Sequence, residues 1–89
     1  MNTYIVILKL VSQEDLYTNL VIFLKSGSSW ARPMPNTWFV KTTNSAADIR
    51  DGVKSRIGTQ DAVLVINVTK GWGTSNISKA VTDWMKTHL

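Results

Sequence analysis

Three strand-like segments, each followed by a helix-like segment, most limit how this chain can fold. TYIVILKLV (residues 3–11), NTWFVKTT (36–43) and AVLVINVT (62–69) are rich in β-branched and aromatic residues, which favour strands. After each of them, apolar residues recur at the three- and four-residue spacing of a helix that packs along one face. Because the chain has only 89 residues, we expect these elements to form one domain that spans residues 1–89.

The predicted helices begin at capping signals led by serine. A serine is followed three residues later by an aspartate at 12–15 and again at 45–48, an arrangement that satisfies free N–H groups in a first helical turn. Gly27 predicts the left-handed residue that ends the first helix. The second helix is expected to end at Gly58, and a third helix is predicted from about Ser75. The apolar positions expected to be buried are Leu16, Leu20, Phe23 and Leu24 in the first helix, Ala46, Ile49, Val53 and Ile57 in the second, and Ile77, Val81, Trp84 and Met85 in the third.

A proline-containing segment, residues 28–35, lies between the first helix and the second strand-like segment. Pro33 and Pro35 lack the N–H that an inner strand donates, so this segment is predicted to be a loop or a short edge strand. With an edge strand here, the order of elements is βαββαβ followed by a helix. This order predicts an α+β fold of the ferredoxin-like, split βαβ kind: an antiparallel sheet with two helices on one face and an additional C-terminal helix.

The alternation of side chains along each strand predicts which residues face the two helices. We expect the face beneath the helices to hold Val6, Leu8, Leu10, Leu64, Ile66 and Val68. The opposite face would then form an apolar patch larger than a monomer usually exposes, so the third helix, a second subunit, or each in part must cover it. The candidate residues for a homodimer interface on this face are Ile5, Ile7, Phe39, Val63 and Val65.

Composition and motifs exclude several classes of site. The chain has no cysteine, which excludes disulfides, thiol chemistry and thiolate-bound zinc. The longest apolar runs, residues 20–24 and 62–66, are far shorter than the ~20 residues that span a bilayer, so we expect a cytoplasmic protein without a membrane partner. The segment KGWGTS (70–75) lacks the spacing of a phosphate-binding loop, and His88 is the only histidine. We therefore predict no cofactor, no metal site and no catalytic residue.

The net charge of +4 indicates a mild preference for anionic partners. Helix ends account for most charged residues, and the basic residues that remain fall on predicted strands and loops, where they could converge near a sheet edge. Aromatic side chains beside basic ones can hold single-stranded nucleic acid, although a scattered solvated surface remains the alternative. The nucleic-acid-binding candidates are Lys9, Trp30, Arg32, Lys41, Lys70 and Trp72.

Five short motifs together resemble a known superfamily. They are a tyrosine-led first strand, TW-apolar-V-K-T at 37–42, SA-x-x-IRD at 45–51, D-x-x-LVI-x-V at 61–68 and DW-apolar-K-x-HL at 83–89. In their order and spacing, the chain resembles small proteins of the CRISPR-associated endoribonuclease and virulence-associated protein D superfamily, in particular its SinR-like branch. The proline-containing residues 31–35 depart from that pattern.

The resemblance implies a ferredoxin-like fold, a homodimer and, in the CRISPR-associated members, metal-dependent phosphodiester cleavage. That chemistry is linked to an aspartate at the end of the first strand of each subunit, because Mg²⁺ prefers oxygen ligands. Lys9 occupies the matching position here. A cation cannot ligate Mg²⁺, so this departure argues against the nuclease chemistry.

The sequence thus predicts a non-catalytic, homodimeric protein that acts through weak nucleic-acid binding or protein binding. One alternative is a metal-dependent endonuclease with relocated ligands, such as Asp61 or Glu14. Another is an antitoxin-like or phage-derived accessory protein that acts through protein–protein contacts. Whether the protein is an enzyme stays open, with Lys9 weighing against it.

Overall fold

The computed structural model describes the backbone of residues 1–89 and every side chain except those of Glu14 and Asp15. Its sheet is antiparallel, with the strand order β2-β3-β1-β4. This α+β architecture is compatible with the predicted ferredoxin-like fold. The elements in chain order are β1 (Asn2–Lys9), a 3₁₀ turn (Glu14–Tyr17), α1 (Thr18–Leu24), β2 (Ser29–Met34), β3 (Thr37–Thr42), α2 (Ala46–Lys54), β4 (Ala62–Asn67) and α3 (Lys79–His88).

The main core lies between one face of the sheet, called the inner face below, and helices α1 and α2. Val6 of β1 and Val53 of α2 are completely buried in it, and Trp38 of β3 is 1% exposed. Every second residue of β1 enters this core, as the alternation along a strand requires. The other buried members are Tyr4, Leu8, Tyr17, Leu20, Leu24, Val40 and Ile49.

A second, smaller core covers part of the opposite, outer face. Here α3 packs Met85 against Phe39 and Ala31, all three of which are buried. The ring of Trp84 stacks on Phe39 with the centroids 5.8 Å apart, and its Nε1 donates a hydrogen bond to Ser29 Oγ at 2.8 Å. The third helix therefore covers the half of the outer face that β2 and β3 form.

The predicted facing of β4 is wrong by one residue. Val65 lies opposite Val6 in the β1–β4 register, and Val63 lies opposite Leu8, so both valines pack against the main core on the inner face. Leu64 and Ile66 lie on the outer face instead, where they are 54% and 47% exposed. Val68, also predicted to lie under the helices, packs against the second core.

The two predicted capping boxes have different outcomes. The box at Ser45 and Asp48 is confirmed, because each side chain accepts a hydrogen bond from the backbone N–H of the other residue. The predicted N-cap at Ser12 is wrong: the chain enters α1 through the 3₁₀ turn, whose N-cap is Gln13, and Leu16 is 70% exposed there. The side chain of Asp15, the other half of the predicted box, lies outside the described residues. Helix α3 begins later than predicted, after Ser78, whose Oγ accepts from Val81 N–H.

Gly27, three residues after the end of α1, does not have the left-handed conformation predicted for it, because its φ is not positive. A Cβ at this position would instead lie 2.8 Å from the carbonyl oxygen of Lys41. Glycine is needed here because the chain passes close to strand β3.

Candidate functional site

The six predicted nucleic-acid-binding residues lie in four separate places. Trp30 and Arg32 lie on β2, and Lys70 and Trp72 lie in the loop between β4 and α3. Lys41 lies opposite Thr3 in the β1–β3 register, whereas Lys9 lies six residues further along β1, a distance of about 20 Å. Lys9 and Lys41 therefore do not converge, which favours the scattered arrangement among the two that the sequence left open. Lys41 also has a structural contact, since its Nζ lies 3.2 Å from His88 Nδ1 at the end of α3.

Trp30 and Arg32 belong to a row of two aromatic side chains with a basic side chain at each end, which we call the basic–aromatic ladder. It consists of Lys25, Trp30, Trp38 and Arg32. Lys25 Nζ lies 4.7 Å from the ring centroid of Trp30, the two indoles are 5.4 Å apart, and the Arg32 guanidinium lies 4.7 Å from the centroid of Trp38. Such contacts stabilise both the cations and the ring orientations.

The ladder has a rigid base and an accessible end. Trp38 is 1% exposed and belongs to the main core, whereas Trp30 is 39% exposed. Arg32 is held by two hydrogen bonds, since its Nε and Nη2 donate to the carbonyl oxygen of Pro35 at 2.9 and 2.6 Å. A half-exposed indole on a buried base, with an ammonium group over its ring, can stack on a planar ring that takes the place of the ammonium group, which can then attract an anion.

A cavity of about 210 Å³ opens beside the ladder, between α1 and the β2–β3 hairpin. Its walls are polar and apolar in about equal parts, and the apolar part includes Leu8, Leu20 and Trp38. Arg32 and Asn36 supply polar groups to the same lining. The cavity thus shares two residues with the ladder and extends the apolar surface available there.

Asp61, proposed from the sequence as a relocated metal ligand, serves to join two loops. Its carboxylate accepts hydrogen bonds from Val11 N–H and Gly58 N–H, both at 2.8 Å, and from the Tyr17 hydroxyl at 3.0 Å. The Val11 N–H bond is the largest cause that holds the pKa of Asp61 below its usual value, followed by the Gly58 N–H bond, with a further contribution from Tyr17. Ser12 N–H in turn donates to the Tyr17 hydroxyl.

Metal ligands do not cluster in the part of the chain that the structure describes. Among its side chains, no three histidine, cysteine, aspartate or glutamate residues are close enough to hold one ion. The Glu14 side chain lies outside the described residues, so its proposed part in a metal site is not addressed. Lys9 is exposed on the outer face, opposite Ala62.

The five predicted interface residues do not form one open patch. Phe39 is buried beneath α3 and Ile5 is partly covered by it, while Val63 and Val65 face inward. Only Ile7 is exposed on the outer face as predicted. Leu64 lies opposite Ile7 in the β1–β4 register, and Ile66 lies two residues further along β4, opposite Ile5. Ile7, Leu64 and Ile66 form an apolar surface that we call the outer patch.

Four members of the ladder and the outer patch were not among the candidates predicted from the sequence: Lys25, Trp38, Leu64 and Ile66. Lys25 lies only five residues before Trp30, a signal that a cation could reach that ring. Leu64 and Ile66 were expected on the opposite face, because residues 62–66 are all apolar.

No family model, no curated protein and no solved structure matches this chain. Within the described residues, every helix is too short or too polar to cross a membrane.

Proposed function

We propose that this chain is a non-catalytic, homodimeric binding protein of the cytoplasm, and that it binds single-stranded nucleic acid weakly at the basic–aromatic ladder. The observation that carries the proposal is Trp30, whose indole is 39% exposed between the Lys25 ammonium group and the buried Trp38. Stacking on an aromatic side chain does not depend on which base is present, since every base has a π-face.

The size of the ladder limits the affinity. Stacking of one base on an aromatic side chain contributes about 1–3 kcal/mol, and Trp30 is the only ring of the ladder that is accessible. Lys25 could neutralise one phosphate, and a neutralised phosphate contributes a salt slope of about −0.7 on a single strand. Binding should therefore be modest, insensitive to sequence and weakened by salt.

Trp72 provides a matched control for Trp30, because both indoles are 39% exposed. Trp72 lies in the glycine loop after β4 and makes none of the ring contacts that form the ladder. Trp30→Ala should weaken binding of a labelled single-stranded oligonucleotide roughly 5- to 150-fold in fluorescence anisotropy, which corresponds to the loss of one stacking contact. Trp72→Ala should leave it unchanged. Equal losses in the two variants, or none in either, would refute the ladder as the binding site.

Lys25→Gln tests the electrostatic part of the proposal. This change should reduce the slope of log affinity against log salt by about 0.7 while Trp30 still stacks. An affinity that does not vary with salt in the unmodified protein would contradict the proposal, as would a strong preference for one base sequence.

The proposal agrees with the resemblance to the SinR-like branch of the CRISPR-associated endoribonuclease superfamily in fold and in homodimer formation, and departs from it in chemistry. Lys9 replaces the carboxylate that the resemblance implies. Asp61 is a poor substitute ligand, since a metal would have to displace the Val11 and Gly58 N–H groups and the Tyr17 hydroxyl.

A further inference from the structure

The two edges of the sheet differ in how they are protected against pairing with another strand. Strand β2 carries Pro33, has an irregular register between Ala31 and Met34, and is held by Trp84 of α3. Strand β4 has the sequence AVLVIN, without charge, proline, glycine or register irregularity. Proteins usually block an edge strand with such features, so β4 is the edge that is left able to pair.

The hydrogen-bonding phase of β4 determines which backbone groups point outward. Val68 N–H donates to the carbonyl oxygen of Thr3 in β1. Because hydrogen-bonded residues alternate along an antiparallel pair, Leu64 and Ile66 direct their N–H and C=O groups toward β1. The backbone groups of Val63, Val65 and Asn67 therefore point to the open edge.

We propose that a second copy of this chain adds its own β4 antiparallel to this edge, with Val65 opposite Val65 of the other copy. The inference rests on the homodimer of the proposed function and specifies its interface. In this register Val63 lies opposite Asn67, so all three outward-pointing residues of each copy find partners. The pairing forms about six backbone hydrogen bonds across a two-fold axis.

The same register joins the apolar surfaces of the two copies. Leu64 of each copy lies opposite Ile66 of the other on the outer face, so the two outer patches become one surface across the axis. Interfaces have roughly one hydrogen bond per 100–200 Å² of buried surface. The six hydrogen bonds therefore correspond to about 600–1,200 Å² buried in total. This area is at the lower end of specific interfaces, so we expect a dimer that dissociates in the micromolar range.

The charges near β4 fit an antiparallel copy better than a parallel one. Residues 62–69 carry no charge, while Asp61 precedes β4 and Lys70 follows it. Antiparallel pairing places the acidic start of one strand beside the basic end of the other, at both ends of the interface.

Cysteine cross-linking tests the register without background, because the chain has no cysteine. In Val65→Cys the two new thiols would lie on residues with Cα atoms about 5.5 Å apart, a spacing that a disulfide can bridge. Val63→Cys is the matched control, since two residues 63 would be about 13 Å apart along the strands. Oxidised glutathione should cross-link Val65→Cys and not Val63→Cys. The double variant Val63→Cys with Asn67→Cys should cross-link again.

Light scattering on two variants at exposed leucines measures the oligomeric state independently of the cross-linking. Leu64→Glu places a charge on the outer patch. This variant should be a monomer at ~50 μM, a concentration at which the unmodified protein should be a dimer. Leu16→Glu, at a leucine that is also exposed but lies on the 3₁₀ turn, should leave the dimer intact. Circular dichroism of each variant serves as the control that it is folded.

The outcomes separate this inference from the proposed function. If Leu64→Glu is a monomer and Val65→Cys cross-links, the results support both the β4 interface and the homodimer of the proposed function. A dimer that resists Leu64→Glu and does not cross-link at Val65→Cys overturns the β4 interface and leaves the homodimer standing. A folded monomer of the unmodified protein at ~50 μM, above the expected dissociation range, overturns both.

Discussion

Phe39→Ala should be one of the most destabilising single changes in this chain, because Phe39 attaches α3 to the sheet. The ring is 6% exposed, packs with Ala31 and Met85, and stacks on Trp84 at a centroid distance of 5.8 Å. Truncation of a buried phenylalanine to alanine costs about 3–5 kcal/mol, a range that includes loss of the aromatic pair. Since a domain of this length has a total stability of about 4–13 kcal/mol, the change removes a large fraction of it.

Urea unfolding measured at sub-micromolar concentration would show this loss on the monomer. With a slope of about 1 kcal/mol per molar urea, Phe39→Ala should lower the unfolding midpoint by about 3 M. Leu64→Ala, on the same face but 54% exposed, should lower it by less than about 1 M, because little of its surface is buried. Hydrogen exchange should also show faster exchange of the amides of α3 in Phe39→Ala. If the two variants lose equal stability, or if exchange in α3 is unchanged, α3 does not cover the sheet as described.

Three further changes test local features. Gly52→Ala should destabilise the protein by about 1–3 kcal/mol in urea unfolding, because the new Cβ would lie 2.2 Å from the Phe23 ring; a gain in stability, as alanine gives in an exposed helix, would contradict the close contact. Ser45→Ala should cost about 1 kcal/mol by removing an N-cap, and an unchanged unfolding midpoint would show that the cap is dispensable. Because hydrogen bonds hold the pKa of Asp61 below its usual value, its charge stabilises the fold above the pKa of the unfolded chain and ceases to do so as pH falls through the folded pKa. The stability difference between the unmodified protein and Asp61→Asn should therefore shrink below about pH 4, and a difference that stays constant from pH 6 to pH 2 would refute this.

The order of the elements could be predicted because local patterns determine it. The capping box at Ser45 and Asp48 involves two residues three positions apart, and the structure contains it as predicted. For the proline-containing segment the sequence left two alternatives, a loop or a short edge strand. The segment forms edge strand β2. Helix periodicity likewise identified the buried positions Ile49 and Val53 of α2.

The facing of β4 could not be predicted because its sequence has no alternation. Residues 62–66 are all apolar, so either set of side chains could face the core. The register with β1 decides the question, since Val6 lies opposite Val65. That pairing joins residues 59 positions apart and leaves no local trace in the sequence.

The basic–aromatic ladder could be anticipated only in part for the same reason. Trp30 and Arg32 are neighbours on β2, and their proximity was visible. Their fixed geometry comes from Trp38 on the adjacent strand and from Lys25 at the end of α1, contacts that depend on how the strands and helix are packed. A sequence can thus indicate an exposed tryptophan, but not the side chains that surround it.

Lys9 connects the dimer interface to the question of catalysis. The resemblance to the CRISPR-associated endoribonucleases implies one carboxylate from each subunit at this position, close enough to share a metal. In the dimer that we propose, β1 and its copy are separated by three strand spacings, about 14 Å, and each Lys9 lies opposite Ala62, three residues from the axis at Val65. Those six residues add about 20 Å along the strands, so the two positions are about 25 Å apart.

Lys9→Asp should therefore not create a shared metal site. Two aspartates that far apart cannot ligate one ion or two ions at the ~4 Å separation of two-metal sites. We expect isothermal titration of Lys9→Asp with Mn²⁺ to show no stoichiometric site of micromolar affinity, and we expect the unmodified protein to bind Mg²⁺ or Mn²⁺ weakly or not at all. Neither protein should cleave RNA or DNA when a divalent metal is added. Metal-dependent cleavage by Lys9→Asp alone would mean that the two copies place their first strands together, which is possible for facing sheets and not for paired β4 edges.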